Sequence, residues 1–202
     1  MTEDEYRTIE IPAEGFYKDR GSKFLSFAFP VENETAVKVF LHQVKKAHHV
    51  CNHHCYAFRL HPKGDVFRSS DDREPSGSAG KPILGQLLSY ELTDILIVVA
   101  RYFGGSLLGV PGLINAYRSS AIDAIENANI IVKTVHATFE ISIPPQLMNE
   151  LLNVVRSESG IISRQAFGEK MMVHISVSKS RKISLIEKLT NNSKLGPYLI
   201  IN

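Results

Sequence analysis

Apolar and polar residues are arranged along this chain in patterns that separate strands from helices. Aromatic and branched residues over Thr8 to Ile11 and Lys23 to Val31, bounded by Gly15, Gly21 and Pro30, predict two strands. From Asn33, a good N-cap residue, Val37, Phe40, Leu41, Val44 and Ala47 recur at the three-and-four spacing of one helical face. His53 to Leu60 and Val66 to Ser69 read as strands joined through Pro62-Lys63-Gly64-Asp65, a hairpin. Asp94 to Tyr102 carries apolar residues at consecutive positions, Ile95 to Ala100, so both faces of that strand are covered and it belongs at the centre of a sheet. Pro82 opens a short helix, and Pro111 opens a longer one to about Ala128 with Ile114, Tyr117, Ala121 and Ile125 inward.

The pattern restarts after Asn129. Ile130 to Ile143 predicts a strand, Pro145 to Ser159 a helix stopped by Gly160, and Ile161 to Phe167 a strand. Gly168-Glu169-Lys170 is a turn, Met171 to Val177 a strand, about Ser180 to Thr190 a helix, and Tyr198 to Ile201 a last strand. That order is the ferredoxin-like βαββαβ unit. The expectation is an α+β chain of two domains, residues 1–130 and 135–202.

Composition narrows the function classes. The chain has 202 residues, 44% hydrophobic and 22% charged, as in a globular protein with a real core. Its net charge of only +2 gives no global field for nucleic acid or membrane, so any basic surface is local. The charge is unevenly divided: residues 1–129 sum to −2 and residues 130–202 to +4. No apolar run approaches the roughly 20 residues of a membrane span, and the first residues are acidic, which predicts a cytoplasmic protein with no membrane partner. Two cysteines separated by three residues, Cys51 and Cys55, agree with a reducing compartment.

Four constellations carry potential chemistry. His48, His49, Cys51, His53, His54 and Cys55 are metal-ligand types within eight residues, but no zinc-site spacing is present and a strand would send His54 away from His53 and Cys55. The expectation is no metal and no cofactor. The loop Asp71-Asp72-Arg73-Glu74-Pro75-Ser76-Gly77-Ser78-Ala79-Gly80 is long, polar and enters a helix, so it is either a functional surface or a tied-down connection. Arg101, ahead of Tyr102 and Phe103, either binds phosphate or a base, or pairs with Asp71, Asp72 or Glu74. Gly104-Gly105-Ser106-Leu107-Leu108-Gly109 lacks Walker and dinucleotide spacing, so Leu107 and Leu108 are expected to plug the core while the glycines turn. Lys179, Arg181, Lys182 and Lys188, near or on one helix, are a solvated face or a phosphate footprint.

Several of these stretches together resemble the IMPACT/YigZ family: Gly21-Ser22-Lys23-Phe24, His54-Cys55-Tyr56-Ala57, the whole 71–80 loop, Ile83-Leu84, Val98-Val99, Arg101-Tyr102-Phe103-Gly104-Gly105 and Leu108-Gly109. The resemblance covers residues 20 to 128, whereas residues 135 to 202 resemble the bacterial C-terminal domain only in length and pattern. It implies an N-terminal domain like domain 2 of ribosomal protein S5, with a left-handed crossover, and a ferredoxin-like domain similar to the last domain of elongation factor G. Eukaryotic members regulate translation by competing for a ribosome-associated activator of a stress kinase; the family carries over no catalytic residue.

The expected function is therefore a non-enzymatic, translation-associated protein binding RNA or a ribosome-associated protein. Its expected surface combines Asp71, Asp72, Arg73, Glu74, Ser76, Gly77, His54, Arg101, Tyr102, Gly104 and Gly105 with the basic second domain. The rival is a hydrolase-like enzyme whose acidic or metal site is built from Asp71, Asp72, Glu74 and His54.

Overall fold

The computed structural model describes residues 3–166 and 171–198, and the chain forms two compact units, residues 6–133 and residues 1–5 with 134–202. The elements in order are β1 (Glu5–Ile9), β2 (Ala13–Asp19), β3 (Ser22–Pro30), α1 (Glu34–Ala47), β4 (His53–Leu60), β5 (Val66–Ser70), α2 (Gly80–Ser89), β6 (Ile95–Tyr102) and α3 (Gly109–Glu126). They continue with β7 (Ile130–Thr134), β8 (His136–Ile143), α4 (Met148–Ser157), β9 (Ile161–Ala166), β10 (Met171–Ser178) and α5 (Lys182–Asn191).

In the larger unit a five-stranded sheet runs β2-β3-β6-β4-β5, with every neighbouring pair antiparallel. The continuous apolar run puts β6 in the middle, buried from Ile95 through Arg101. Its side chains alternate between two cores. Ile95, Ile97 and Val99 meet Ile83 and Leu87 of α2 and Leu113, Tyr117, Ala121 and Ile125 of α3. Leu96, Val98 and Ala100 meet Val37 and Val44 of α1 on the opposite face.

That layering fixes the chirality. Strands β3 and β4 are parallel, one either side of β6, and are joined over one face by α1. Strands β5 and β6 are parallel, one either side of β4, and are joined over the other face by α2. The second connection reverses both the strand direction and the direction of travel across the sheet, which by itself would preserve the hand. Changing the face inverts it, so one of the two crossovers is left-handed, against the usual rule.

Local chemistry explains the element boundaries. Asn33 caps α1 by accepting the Ala36 N–H at 2.9 Å. Strand β2, which the sequence pattern does not predict, is a sheet edge joined to β3 by Arg20 and Gly21, both with positive φ, as a two-residue hairpin requires. Gly15 in β2 leaves room for the backbone of α3, because a Cβ there would collide with Ala124. Helix α3 starts at Gly109 rather than Pro111, and its buried face is Leu113, Ala116, Tyr117, Ser120, Ala121, Ala124 and Ile125, with Ile114 only half-buried.

In the smaller unit β8, β9 and β10 form a sheet in the order β8-β10-β9, both pairs antiparallel. Strand β10 therefore lies between the two strands that α4 connects. Phe139, Ile141, Ile143, Val173, Ile175 and Val177 form its core with Leu151 and Val155 of α4 and Leu185 and Leu189 of α5. The single strand expected over 130–143 is two strands: β7 pairs with β1, and β8 pairs with β10. The expected turn at 168–170 and the expected strand beyond Tyr198 lie outside the described residues; Tyr198 itself ends a short 3-10 turn.

Candidate functional site

The 71–80 loop is built around its first carboxylate. Asp71 follows β5, and its Oδ1 accepts the Ala79 and Gly80 N–H groups at 3.0 and 2.8 Å while Oδ2 accepts that of Gly77 at 2.8 Å. Helix α2 has Ala79 at its N-cap position, which cannot cap, so the remote Asp71 fills that role. Burial raises the Asp71 carboxyl, but the three backbone hydrogen bonds outweigh it and hold the group below the usual carboxylate range. Two glycines permit this closure: Gly77 has φ +75°, and a Cβ on Gly80 would strike the Ser70 backbone.

Asp72 and Arg73 both adopt positive φ, a strained path that aims their side chains back at β4. Asp72 Oδ2 accepts the His54 N–H at 2.7 Å and its carbonyl oxygen lies 2.8 Å from His53 Nδ1, while Arg73 donates to the Asn52 carbonyl at 2.5 Å. The imidazole of His54 is 3.9 Å from Asp72, but burial holds it below the ordinary histidine value, so it is neutral near pH 7.

Glu74 enters the core. Its Oε1 accepts from Arg101 Nη1 at 2.7 Å and from the Tyr117 hydroxyl at 2.8 Å, in a pair whose side chains are 4% and 7% exposed. The Arg101 guanidinium lies between the rings of Phe24 and Phe103, 5.6 Å from each centroid. The Cys55 thiol sits 3.3 Å from the Tyr117 oxygen and 3.0 Å from the Asp71 carbonyl, with one proton to serve either. Burial pushes both the Cys55 thiol and the Tyr117 phenol far up, so neither ionises as a nucleophile near neutrality. Of the three partners open to Arg101 by sequence, the structure selects Glu74. Asp71, Asp72 and Glu74 thus act as internal acceptors, each with its own donors, and of the loop Arg73, Pro75 and Ser76 stay exposed.

The histidine-cysteine cluster is divided by the strand. His54 Nε2 lies 3.0 Å from the His48 carbonyl and His48 Nδ1 lies 2.8 Å from the Tyr102 hydroxyl, on the α1 side, whereas Cys55 faces α2 and α3. Among the described residues no three His, Cys, Asp or Glu side chains converge as metal ligands. Gly104 packs on the Gly21 backbone and donates its N–H to Ser22 Oγ at 3.1 Å, and Gly105 has φ +87° with open space around it. Leu108 packs partly against the core, but Leu107 is 83% exposed, so the expectation that both leucines plug the interior is corrected. The Gly105 turn carries Leu107 outward instead.

That turn borders a hollow of about 400 Å³, the feature sequence reasoning missed. Phe103, Leu107, Leu108, Val110 and Leu113 wall it, and His53, Arg73, Glu74 and Arg101 supply its polar groups. The only sequence signal was an aromatic and two leucines beside glycines, which fits a buried turn equally well.

In the smaller unit the four cations separate. Lys188 binds Glu158 at 2.5 Å, and that ion pair together with Ser184 holds the Glu158 carboxyl below its usual range. Arg181 Nη1 reaches Ser159 Oγ at 3.4 Å. Lys179 and Lys182 make no ion pair among the described residues, and Lys179 and Arg181 are exposed on the 3-10 turn that leads into α5.

Fold and site together define a mixed α/β protein of two units, with an internally paired acidic loop in one and exposed cations in the other. The chain belongs to the IMPACT family: residues 20–125 match the Impact N-terminal domain. It is 26% identical to the IMPACT family member YvyE of Bacillus subtilis over 92% of this chain and 85% of that protein. It is 36% identical to the IMPACT family member YigZ of Escherichia coli over 56% of each. The crystal structure of a hypothetical protein, 24% identical, superposes with a TM-score of 0.70 over 98% of this chain and 97% of that one, a likeness of fold. Among the described residues no helix is long and apolar enough to cross a membrane.

Proposed function

We propose that this chain is a non-catalytic, translation-associated protein that binds structured RNA through its smaller unit. The observation that carries the reading is the group Lys179, Arg181 and Lys182 at the start of α5, the first two exposed and the third half-buried, in which neither lysine makes an ion pair among the described residues, although Asp4 accepts the Ser180 N–H at 2.7 Å on the same turn. Unpaired cations on a fixed turn are the groups that displace counterions from a phosphate backbone. The translation link rests on the resemblance to eukaryotic family members, and the order β8-β10-β9 with α4 and α5 supports a ferredoxin-like unit, a fold that recurs in RNA-contacting proteins. The two opposite-handed crossovers of the larger unit support the ribosomal-protein-S5-like assignment in the same way. Use of all three loop carboxylates as internal acceptors favours binding over a hydrolytic acid centre.

A labelled ribosomal-RNA hairpin titrated at several salt concentrations tests this. Affinity is expected to fall steeply with salt, and replacing Lys179, Arg181 and Lys182 by Gln should reduce the log–log slope by about 2 to 3. No binding at low salt, or an unchanged slope in the variant, refutes the RNA reading and leaves a ribosome-associated protein as the partner.

A further inference from the structure

We propose that the hollow beside Arg101 in the larger unit is a binding site for a small organic anion, a flat apolar body carrying one carboxylate or phosphate group. Its volume of about 400 Å³ falls within the roughly 300–1,000 Å³ typical of small-ligand sites, which are mostly apolar with a few convergent polar groups. Phe103, Leu107 and Val110 at its edge are 54%, 83% and 46% exposed, an apolar surface that nothing in this unit covers among the described residues.

Positive charge in excess of carboxylate converges on that surface. Arg73 spends one Nη2 hydrogen bond on the neutral Asn52 carbonyl and makes no ion pair among the described residues. Arg101, itself 93% buried by side chain, gives Nη1 to Glu74 and leaves its Nε without an acceptor. Glu74 also lines the hollow, so two guanidinium groups face one carboxylate that is already shared with Tyr117. Gly109 and Val110 in that wall belong to the first turn of α3, an 18-residue helix with no side-chain cap and no acidic residue in that turn. Its unpaired N–H groups and dipole add to the same preference. Phe103, held over the Arg101 guanidinium at 5.6 Å, offers a ring face for the flat apolar body.

The probes are phenyl phosphate and 3-phenylpropionate, with 3-phenylpropan-1-ol as an uncharged counterpart of similar apolar size, added to the full chain labelled with ¹⁵N. Both anions are expected to shift the amides of Gly109, Val110 and Gly112 saturably, and the alcohol to bind about tenfold more weakly or less. The tighter of the two anions identifies the headgroup, phosphate or carboxylate. Val110→Asp, at a half-exposed site, should weaken both anions at least about tenfold, and the exposed Arg73→Gln several-fold, with the alcohol unchanged. The proposal is overturned if neither anion shifts these amides saturably up to about 10 mM, tenfold above a millimolar Kd. It is equally overturned if the alcohol matches the anions, or if Val110→Asp leaves both affinities intact. RNA binding by the smaller unit is read in a separate titration, so either result stands without the other.

Discussion

Glu74 and Arg101 decide what the acidic loop is for. A buried ion pair contributes little net stability against an apolar replacement, but breaking it strands a charge in the core. Glu74→Gln should therefore cost about 3–5 kcal/mol, while Glu74→Leu combined with Arg101→Met should cost clearly less, both read by urea unfolding. Asp71 acts differently, as the acceptor of three backbone donors. Asp71→Asn turns one of its oxygens into a donor facing an N–H and should cost about 1–3 kcal/mol. Because the folded-state value of Asp71 lies below the unfolded one, its contribution is full above about pH 4 and lost as pH falls through the folded value. A Tm profile from pH 7 down to pH 2 should thus fall less steeply in Asp71→Asn than in the parent; parallel profiles would refute this role. Sequence alone left Arg101 with three acidic partners, because a choice among neighbours in one loop depends on φ angles at Asp72 and Arg73 that composition does not encode. The Asp71 cap was equally hidden: its donors lie six to nine residues on, outside the spacing of any local capping motif.

Elements were more legible than contacts. Strand β4 runs over His53–Leu60 and α1 is capped by Asn33, both as the pattern predicts, since each is a strongly periodic segment with clear flanks. Strand β2 was missed because an edge strand with Gly15, Glu14, Lys18 and Asp19 has neither alternation nor branched residues. The split between β7 and β8 was missed because Val135 keeps the apolar pattern unbroken while the pairing partner changes from β1 to β10. Glycine in β2 is a consequence of helix approach, and this gives a contrast. Gly15→Ala should destabilise the larger unit by several kcal/mol, about the cost of overpacking a tight core. Gly85→Ala, inside α2 with open space at the Cβ, should stabilise it by about 0.4–1 kcal/mol. Thermal unfolding of both variants tests the claim, and a stable Gly15→Ala protein would contradict the close packing of β2 on α3.

At the scale of the molecule, the two units differ in how their charges are placed more than in net charge. Residues 6–133 sum to +2 and use their acidic loop internally; residues 1–5 with 134–202 sum to zero yet display Lys179 and Arg181, with Lys182 half-buried beside them. Lys188, a fourth candidate by sequence, is consumed by Glu158, so Lys188→Gln should lower stability with little effect on RNA affinity. The basic cluster around residues 179–188 was legible in the sequence, whereas which of its cations remain available was not, because a lysine and its partner lie on different elements. Ultraviolet crosslinking of the intact protein to a ribosomal-RNA hairpin, followed by peptide mapping, tests the functional claim most directly. Crosslinks concentrated in residues 178–191, and lost in the Lys179, Arg181 and Lys182 to Gln variant, are the predicted result. Crosslinks confined to residues 6–133, or none above background, would contradict it.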